Sequence, residues 1–413
     1  MPSEPAIAVP GTTSASLFER VLLGTVLTVI LVLSCLLGFA TTYLMAVLAV
    51  IAAGNFLYRR REVAWASGAP SKVFLAAFVI LALLFAATAR QPADVLLAFN
   101  FTAFLLYVPL ATLFARGAGP GNARRIAWLA LAGAAVGCTA SAVEVYLLGT
   151  GRAGVVISDP IRLADTAVIL GFLALMGLTQ QKDPLRWVFL LGPAVALITV
   201  SLTGARIAML AYPVLVLAAM LLLMRRKWLG LLLGALFVGL LLLAAFSGLF
   251  GGERLASLLS VVNDILSGNP VADEATRIRL ELYKAGWAAF QQSPLIGHGW
   301  AQLMSTPATF LAETDQVHAS LPHLHNELLN FAVAGGLTGV AVYLALIVLP
   351  VAVALRSPRD SQYPARLVGS VILVTAYLVM GLTDTMLSFE LHTALYVGLT
   401  AILLGYCRDG SRA

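Results

Sequence analysis

Long apolar segments recur along almost the whole chain, and this feature constrains the fold more than any other. A helix that crosses a bilayer needs about 20 mostly apolar residues, because the hydrocarbon core is about 30 Å thick. Twelve segments satisfy this requirement: residues 17–37, 39–58, 71–90, 93–115, 125–149, 161–180, 185–202, 204–224, 228–250, 325–355, 365–384 and 389–407. The sequence therefore predicts an all-α polytopic membrane protein with about 12 transmembrane helices.

The composition agrees with a bilayer as the solvent of this chain. Of its residues 60% are hydrophobic and only 11% are charged, whereas soluble domains are about 45–50% apolar and about 25% charged. The net charge of +6 would suggest nucleic acid only if the basic residues clustered on one soluble face. They lie instead in short strips between apolar segments, so we expect contact with membrane lipids and no nucleic-acid partner.

The distribution of positive charge predicts the orientation of the chain. With both termini in the cytoplasm, eighteen of the 26 Lys and Arg residues fall on the inner side and eight on the outer side. Inner loops of membrane proteins are enriched in these residues. Helices 1–9 then occupy residues 1–250, one long outer loop occupies 251–324, and helices 10–12 occupy 325–413. All five histidines also lie outside.

Charge sorting does not account for the eight positive residues on the outer side. We therefore expect functional residues among these eight and among the histidines. The eight are Arg90, Arg152, Arg162, Arg206, Arg254, Arg277, Arg279 and Lys284.

The outer loop contains a segment with helical periodicity, from Thr276 to Gln292. Its apolar stripe consists of Ile278, Leu282, Ala285 and Ala289, which predicts an amphipathic helix. Ser293-Pro294 is expected to end this helix, and Gly297-His298-Gly299-Trp300 to form a tight turn. The helix could lie on the membrane interface, anchored by Trp287 and Trp300, and this leaves a catalytic role for Arg279 open.

Two other places combine polar side chains with the ends of apolar segments. Arg206 follows Thr203-Gly204-Ala205 and enters apolar sequence; a charge at membrane depth is costly and indicates function, unless the side chain snorkels to lipid phosphates. Arg90 and Arg152 lie nearer to aqueous loops. His323 and His325 precede the tenth segment, where a helix-end histidine is commonly a cap, and HxH alone is a weak zinc pattern.

Several arginines beside a histidine on the outer face suit the recognition of phosphate. The guanidinium group binds phosphate oxygens in a bidentate manner. The chain has no Walker motif, no GxGxxG after a strand and no GxSxG, so nothing points to a nucleotide cofactor. A lipid pyrophosphate is the substrate class that this set of residues favours.

Three motifs in order resemble the O-antigen ligases, in the superfamily that also contains O-antigen polymerases and O-linked oligosaccharyltransferases. The first is Thr203-Gly204-Ala205-Arg206. The second combines Arg279 and Tyr283 with Pro294, Gly297 and Gly299, and the third combines His325-Asn326 with Gly335, Gly336 and Gly339. The resemblance covers roughly residues 190–350 in detail and the rest by helix count alone.

The resemblance implies a bacterial inner-membrane enzyme with an architecture like that of type C glycosyltransferases. Its reaction would be metal-independent, inverting transfer of a glycan from undecaprenyl pyrophosphate to lipid A–core, without a cofactor, on the periplasmic side. Arg206 and Arg279 would bind the pyrophosphate, and His325 would be the general base. Further candidate substrate-binding residues are Arg277, Tyr283, His298, Trp300, Asn326, Arg152 and Arg90.

Alternatives to ligase activity follow from the same residues. A polymerase or a protein O-oligosaccharyltransferase would use the same donor, and one sequence shows no code for the acceptor. A flippase or transporter is disfavoured because the chain shows no inverted repeat and its charges cluster on the outer face. A structural scaffold would not need arginines at the membrane edge. Asp273-Glu274 could bind a divalent cation near the arginines, but we interpret both residues as solubilising the loop.

Overall fold

The computed structural model describes residues 15–60, 63–223 and 273–410, together with residues 234, 261, 263, 264, 267 and 269. Every regular element in these residues is a helix. Within them, ten helices are long and apolar enough to cross a membrane. The predicted all-α polytopic membrane protein is confirmed.

Eight of the ten helices precede residue 251, where the predicted outer loop begins. They are α1 (Leu17–Leu37), α2 (Ala40–Tyr58), α3 (Ala69–Thr88), α4 (Pro92–Arg116), α5 (Asn122–Leu147), α6 (Pro160–Thr179), α7 (Pro184–Thr203) and α8 (Arg206–Leu223). The loop helix is α9 (Glu274–Gln292). After it come α10 (Glu327–Arg356), α11 (Tyr363–Gly381) and α12, which runs over Glu390–Ala401 and continues through Ile402–Tyr406.

Ten of the twelve segments expected from hydropathy coincide with these helices. Apart from residue 234, the segment 228–250 lies outside the described residues. The segment 389–407 forms α12, which is shorter than the spanning helices. That these two segments also span the membrane, which would give the expected count of about 12, thus remains a prediction.

Local sequence signals account for where the helices begin. Asp159 precedes Pro160 at the start of α6, and its carboxylate accepts hydrogen bonds from the backbone N–H groups of Ile161 and Arg162 at 2.9 and 3.1 Å. Such a cap satisfies N–H groups that have no partner in the helix, and proline at the first position lacks an N–H group. The side chain of Asn326 caps α10 in the same way, accepting from Leu329 N at 2.9 Å.

Two helices form the centre of the bundle. In the most apolar 18-residue stretch of α6, 94% is buried inside the protein. The corresponding share in the other spanning helices is 28–61%. Every residue of α12 after Glu390 is buried as well. Because lipid-facing helices bury only part of their surface against protein, α6 and α12 are inner helices, and their buried polar residues face protein.

The glycine motifs of the loop and of α10 pack against each other. The helix α10 bends at Gly336, whose φ is 59° and ψ −153°. Opposite the bend, His298 N and Gly299 N donate to the carbonyls of Val333 and Ala334 at 2.8 and 2.9 Å. A Cβ on Gly297 would lie 2.5 Å from the Ala334 carbonyl carbon. This close approach requires glycine, so the second and third motifs meet in one backbone contact.

The predicted loop helix is confirmed, with its start two residues earlier. Leu282, Ala285 and Ala289 of the expected stripe are buried, and Ser293 ends the helix. At Gly286, an added Cβ would lie 2.7 Å from a Leu329 methyl carbon, so α9 packs closely on α10. Trp287 is 55% exposed, which suits an interfacial anchor. The described part of the loop thus rests on α10.

The sidedness of the bundle is tested by reporter fusions along the chain. Fusions after residues 68, 120 and 227 are expected to report a cytoplasmic location, and a fusion near residue 270 a periplasmic one. The physical basis is the retention of Lys and Arg on the inner side during insertion. A periplasmic signal at 68 or 120 would contradict the orientation.

Candidate functional site

The site is built around His325, which lies between the loop and α10. Its φ of 53° makes it the only residue other than glycine with a positive φ in the described parts of the chain. Histidine is one of the residue types more often found in this conformation, but the conformation still costs free energy. The helix cap of α10 is Asn326, so the interpretation of His325 as a cap is wrong.

A buried carboxylate, Asp384, faces this histidine. The Nδ1 atom of His325 lies 3.5 Å from Oδ1 of Asp384, and Nε2 of His323 lies 3.9 Å from the same oxygen. Asp384 is 1% exposed. The distance to His325 is longer than that of a well-formed hydrogen bond, and such bonds commonly shorten when substrate binds.

Residues of α6 and α10 hold the segment that carries Asp384. On one side, Nη1 of Arg162 in α6 lies 3.5 Å from Oδ2 of Asp384 and donates to the Thr385 carbonyl at 2.8 Å. On the other side, the carboxylate of Glu327 accepts from Met386 N at 2.5 Å and from Ser388 Oγ at 2.8 Å. Asp384 is thereby fixed on both sides, with one oxygen towards Arg162 and the other towards the histidines.

The charges around Asp384 set its protonation state. Burial alone would raise the pKa of its carboxyl, but His325, Arg162 and His323 outweigh this effect and hold the pKa well below its usual range. Burial, together with His325, lowers the pKa of His323 to about 4, although Asp384 opposes the change. At neutral pH the site therefore holds a carboxylate beside a neutral His323.

The facing carboxylate favours one tautomer of His325. A carboxylate can only accept hydrogen bonds, so the ring nitrogen that faces Asp384 is best satisfied as the N–H donor. Nδ1 then carries the proton, and Nε2 keeps its lone pair. This arrangement of a carboxylate and an imidazole is the one that orients a general base.

His323, His325 and Asp384 also form the group of side chains that could hold a metal, since their ligand atoms lie within 4.8 Å of one another. This supplies the third ligand that the HxH pattern lacks in the sequence. However, Nδ1 of His323 accepts a hydrogen bond from His325 N at 3.2 Å. A neutral imidazole that accepts at Nδ1 carries its proton on Nε2, so Nε2 is occupied on the side of Asp384. This geometry favours hydrogen bonding over metal ligation.

The loop helix α9 brings an arginine to the same place. Nε of Arg279 is buried and has no hydrogen-bond partner among the residues that the structure describes, and the charge of Arg279 contributes to the low pKa of His323. One turn further on, the hydroxyl of Tyr283 shares its single proton between the His325 carbonyl, at 2.8 Å, and the Leu382 carbonyl, at 3.1 Å. Arg279, Tyr283 and His325 are thus brought together as the motifs suggested.

Arg206 begins α8, after Gly204 in the left-handed conformation. Its Nη1 lies 2.6 Å from Oδ1 of Asp273, the residue that caps α9. The hydrogen bond from Arg206, more than any other contact, lowers the pKa of Asp273. Asp273 therefore joins the first motif to the loop helix, and the interpretation of this residue as a mere solubilising group is wrong.

Two further arginines of the predicted set have structural partners. Nε of Arg152 donates to the Thr203 carbonyl at 2.6 Å, beside the turn that leads to Arg206. Arg277 forms ion pairs with Glu274 at 2.8 Å and with Asp315 at 2.9 Å. Arg152 thus supports the first motif, and both Nη atoms of Arg277 already bind carboxylates.

The remaining predicted residues lie in supporting positions. Nε2 of His298 contacts the Ala289 carbonyl at 2.8 Å. Trp300 packs edge-on against Phe101 at 5.2 Å between ring centroids, and its role as an interfacial anchor stays a prediction. Asn326 caps α10 and also donates to the Leu382 carbonyl at 3.1 Å. Arg90 is exposed, and its backbone N–H binds Asp94 at 2.9 Å.

Sequence reasoning missed Asp384, Glu327 and the role of Arg162. Each is a charged residue near one end of an apolar segment, and each is at most 5% exposed. The signal that could have identified them is the cost of a charge at membrane depth, which holds for these residues as it does for Arg206.

Residues 191–344 match the family described as O-Antigen ligase. This region is assigned to the O-antigen ligase family. The match spans α7 to the first half of α10, so Arg206, Arg279 and His325 lie inside it, while Arg162 and Asp384 lie outside. It supports a ligase- or polymerase-type function in O-antigen handling. No curated protein matches the chain.

Proposed function

We propose that this O-antigen ligase family protein transfers a glycan from undecaprenyl pyrophosphate to the lipid A–core oligosaccharide, by an inverting mechanism without a metal. The observation that carries the proposal is the pairing of His325 with the buried Asp384, at 3.5 Å. The reaction needs one proton acceptor and a means to stabilise a leaving pyrophosphate. The site offers both in side chains.

His325 acts as the general base in this proposal. The hydroxyl of the acceptor sugar loses its proton to Nε2 of His325 as its oxygen forms a bond to the anomeric carbon of the donor. Asp384 is a positioning residue, because it holds the proton on Nδ1 and stabilises the imidazolium ion that forms. A positioned base is worth about 10²–10⁴-fold in rate.

Arg206 and Arg279 stabilise the leaving group. As the bond between the anomeric carbon and the phosphate oxygen breaks, negative charge develops on the pyrophosphate. Preorganised guanidinium groups act on such charge more strongly where water is excluded. The buried Nε of Arg279, which has no partner within residues 15–60, 63–223 and 273–410, supports this role. Arg206 would exchange Asp273 for the incoming phosphate. A single displacement on the face opposite the leaving group inverts the configuration of the sugar.

The choice of donor and acceptor rests on the family and on the chemistry of the residues. Undecaprenyl pyrophosphate presents phosphate oxygens at the membrane surface, and lipid A–core presents sugar hydroxyls there. The proposed location is the bacterial inner membrane, with both termini in the cytoplasm and the site facing the periplasm. The alternatives, an O-antigen polymerase and a protein O-oligosaccharyltransferase, share the donor and differ in the acceptor.

Deletion in the native bacterium, followed by gel analysis of lipopolysaccharide, distinguishes these acceptors. We expect loss of the banded long chains together with accumulation of lipid-linked polymer, because the polymer would form but not be transferred. Lipopolysaccharide that carries single repeats would instead indicate a polymerase. Normal lipopolysaccharide with loss of protein glycosylation would indicate an oligosaccharyltransferase. Complementation with the intact chain is the control.

A further inference from the structure

The left-handed backbone of His325 needs support from its surroundings. A side chain with a Cβ meets steric resistance in this region of φ and ψ, so the conformation persists only where neighbouring groups enforce it. The N–H and C=O groups of His325 both make hydrogen bonds with side chains. Neither partner is needed to cap α10, because Asn326 does so.

His323 provides the support on the amide side. Its Nδ1 accepts from the N–H of His325 at 3.2 Å, two residues further along the chain. The two rings stand nearly perpendicular, with centroids 4.3 Å apart. Asparagine side chains make the same bond to the backbone two residues on, in Asx turns. The imidazole of His323 therefore does here what an asparagine amide could also do.

Tyr283 provides the support on the carbonyl side. Its hydroxyl shares one proton between the carbonyls of His325 and Leu382, at 2.8 and 3.1 Å. Leu382 lies two residues before Asp384, and Tyr283 lies on the helix that carries Arg279. One hydroxyl group therefore joins the loop of the histidine, the segment of the carboxylate and the helix of the arginine.

We infer that His323 and Tyr283 are positioning residues that clamp the peptide groups on either side of His325 and so hold its imidazole against Asp384. This inference rests on the proposed role of His325 as the base. Neither residue needs to touch substrate. The distance from His325 to Asp384 is 3.5 Å, so a small rotation of the backbone would decide whether the orienting hydrogen bond forms.

Hydrogen–deuterium exchange at the His325 amide tests the clamp directly in the purified full-length protein. His323→Ala removes the acceptor, and we expect exchange to accelerate about 5- to 10-fold, as for the loss of one hydrogen bond. His323→Asn should retain slow exchange, because the amide oxygen can replace Nδ1. Unchanged exchange in His323→Ala, or equally fast exchange in both variants, would overturn the clamp.

Transfer activity then tests whether the clamp serves the reaction. We expect His323→Ala and Tyr283→Phe each to lower kcat by about 10- to 100-fold with little change in KM, the effect of a small misplacement of a catalytic group. His323→Asn should restore most of the rate. If the substitutions only destabilised the protein, they would lower the fraction of folded molecules and leave kcat per folded molecule unchanged. Size-exclusion profiles at matched expression measure that fraction.

The two hypotheses fail in different ways. If His325→Ala transfers normally, the proposed base is wrong, whereas the exchange data still decide whether the clamp exists. If exchange accelerates in His323→Ala while kcat stays normal, the positioning role is wrong and His325 is unaffected as a candidate.

Discussion

His325→Asn is expected to lower glycan transfer by about 10²–10⁴-fold, the range for loss of a general base. Asparagine tolerates the left-handed conformation that residue 325 adopts, so the backbone should survive the change. Its amide nitrogen has no lone pair that can take a proton at neutral pH. Binding of the undecaprenyl-pyrophosphate donor should be nearly unchanged, because a neutral imidazole adds little to the affinity for phosphate.

The measurement compares transfer and donor binding in detergent at matched expression. His318→Asn is the control, because His318 lies in the same loop but faces Asp315, with 4.0 Å between its Nε2 and the carboxylate. Near-normal transfer by His325→Asn would remove this residue from the mechanism.

The transfer rate of Asp384→Asn should fall as that of His325→Asn does, since an amide in place of the carboxylate no longer favours the proton on Nδ1. Transfer by the unmodified protein should persist in EDTA.

The helices and the loop helix could be predicted because their signals are local. Length and hydropathy decide whether a segment spans a bilayer, and the stripe of α9 repeats within its own 19 residues. The cap of α10 shows where local reasoning stops being unique. His325 and Asn326 are adjacent, and either could cap a helix, but only the backbone conformation shows that Asn326 does.

Asp384 could not be assigned to the site from the sequence, because the residues that contact it or hold its segment lie far away along the chain. Arg162 lies in the first turn of α6, Glu327 begins α10, and His325 precedes α10. No periodicity relates the segment 382–389 to them. Asp273 is a similar case, since a loop carboxylate next to Glu274 suggests solubility until the ion pair with Arg206 is seen. Long-range pairing of charges is a property of packing, and hydropathy does not encode it.

Arg279→Lys is expected to lower transfer by about 10²-fold and to weaken donor binding at the same time. The substitution keeps the positive charge but loses the planar fork that binds two phosphate oxygens. Removal of one preorganised donor to a developing negative charge typically costs about 10²–10³-fold in rate. The joint loss of rate and binding separates this variant from His325→Asn, which should lose rate alone.

Arg277→Lys is the matched control for Arg279→Lys, because it makes the same substitution two residues earlier on the same helix. The guanidinium of Arg277 already binds Glu274 and Asp315, at 2.8 and 2.9 Å, and a lysine can keep one of these ion pairs. Its transfer rate should stay close to that of the unmodified protein. Nε of Arg279, by contrast, is buried without a partner in the described parts of the chain, and a buried donor left unsatisfied is costly unless a ligand completes it. If both variants lose transfer equally, the helix contributes general positive charge, and the specific role of Arg279 at the pyrophosphate is wrong.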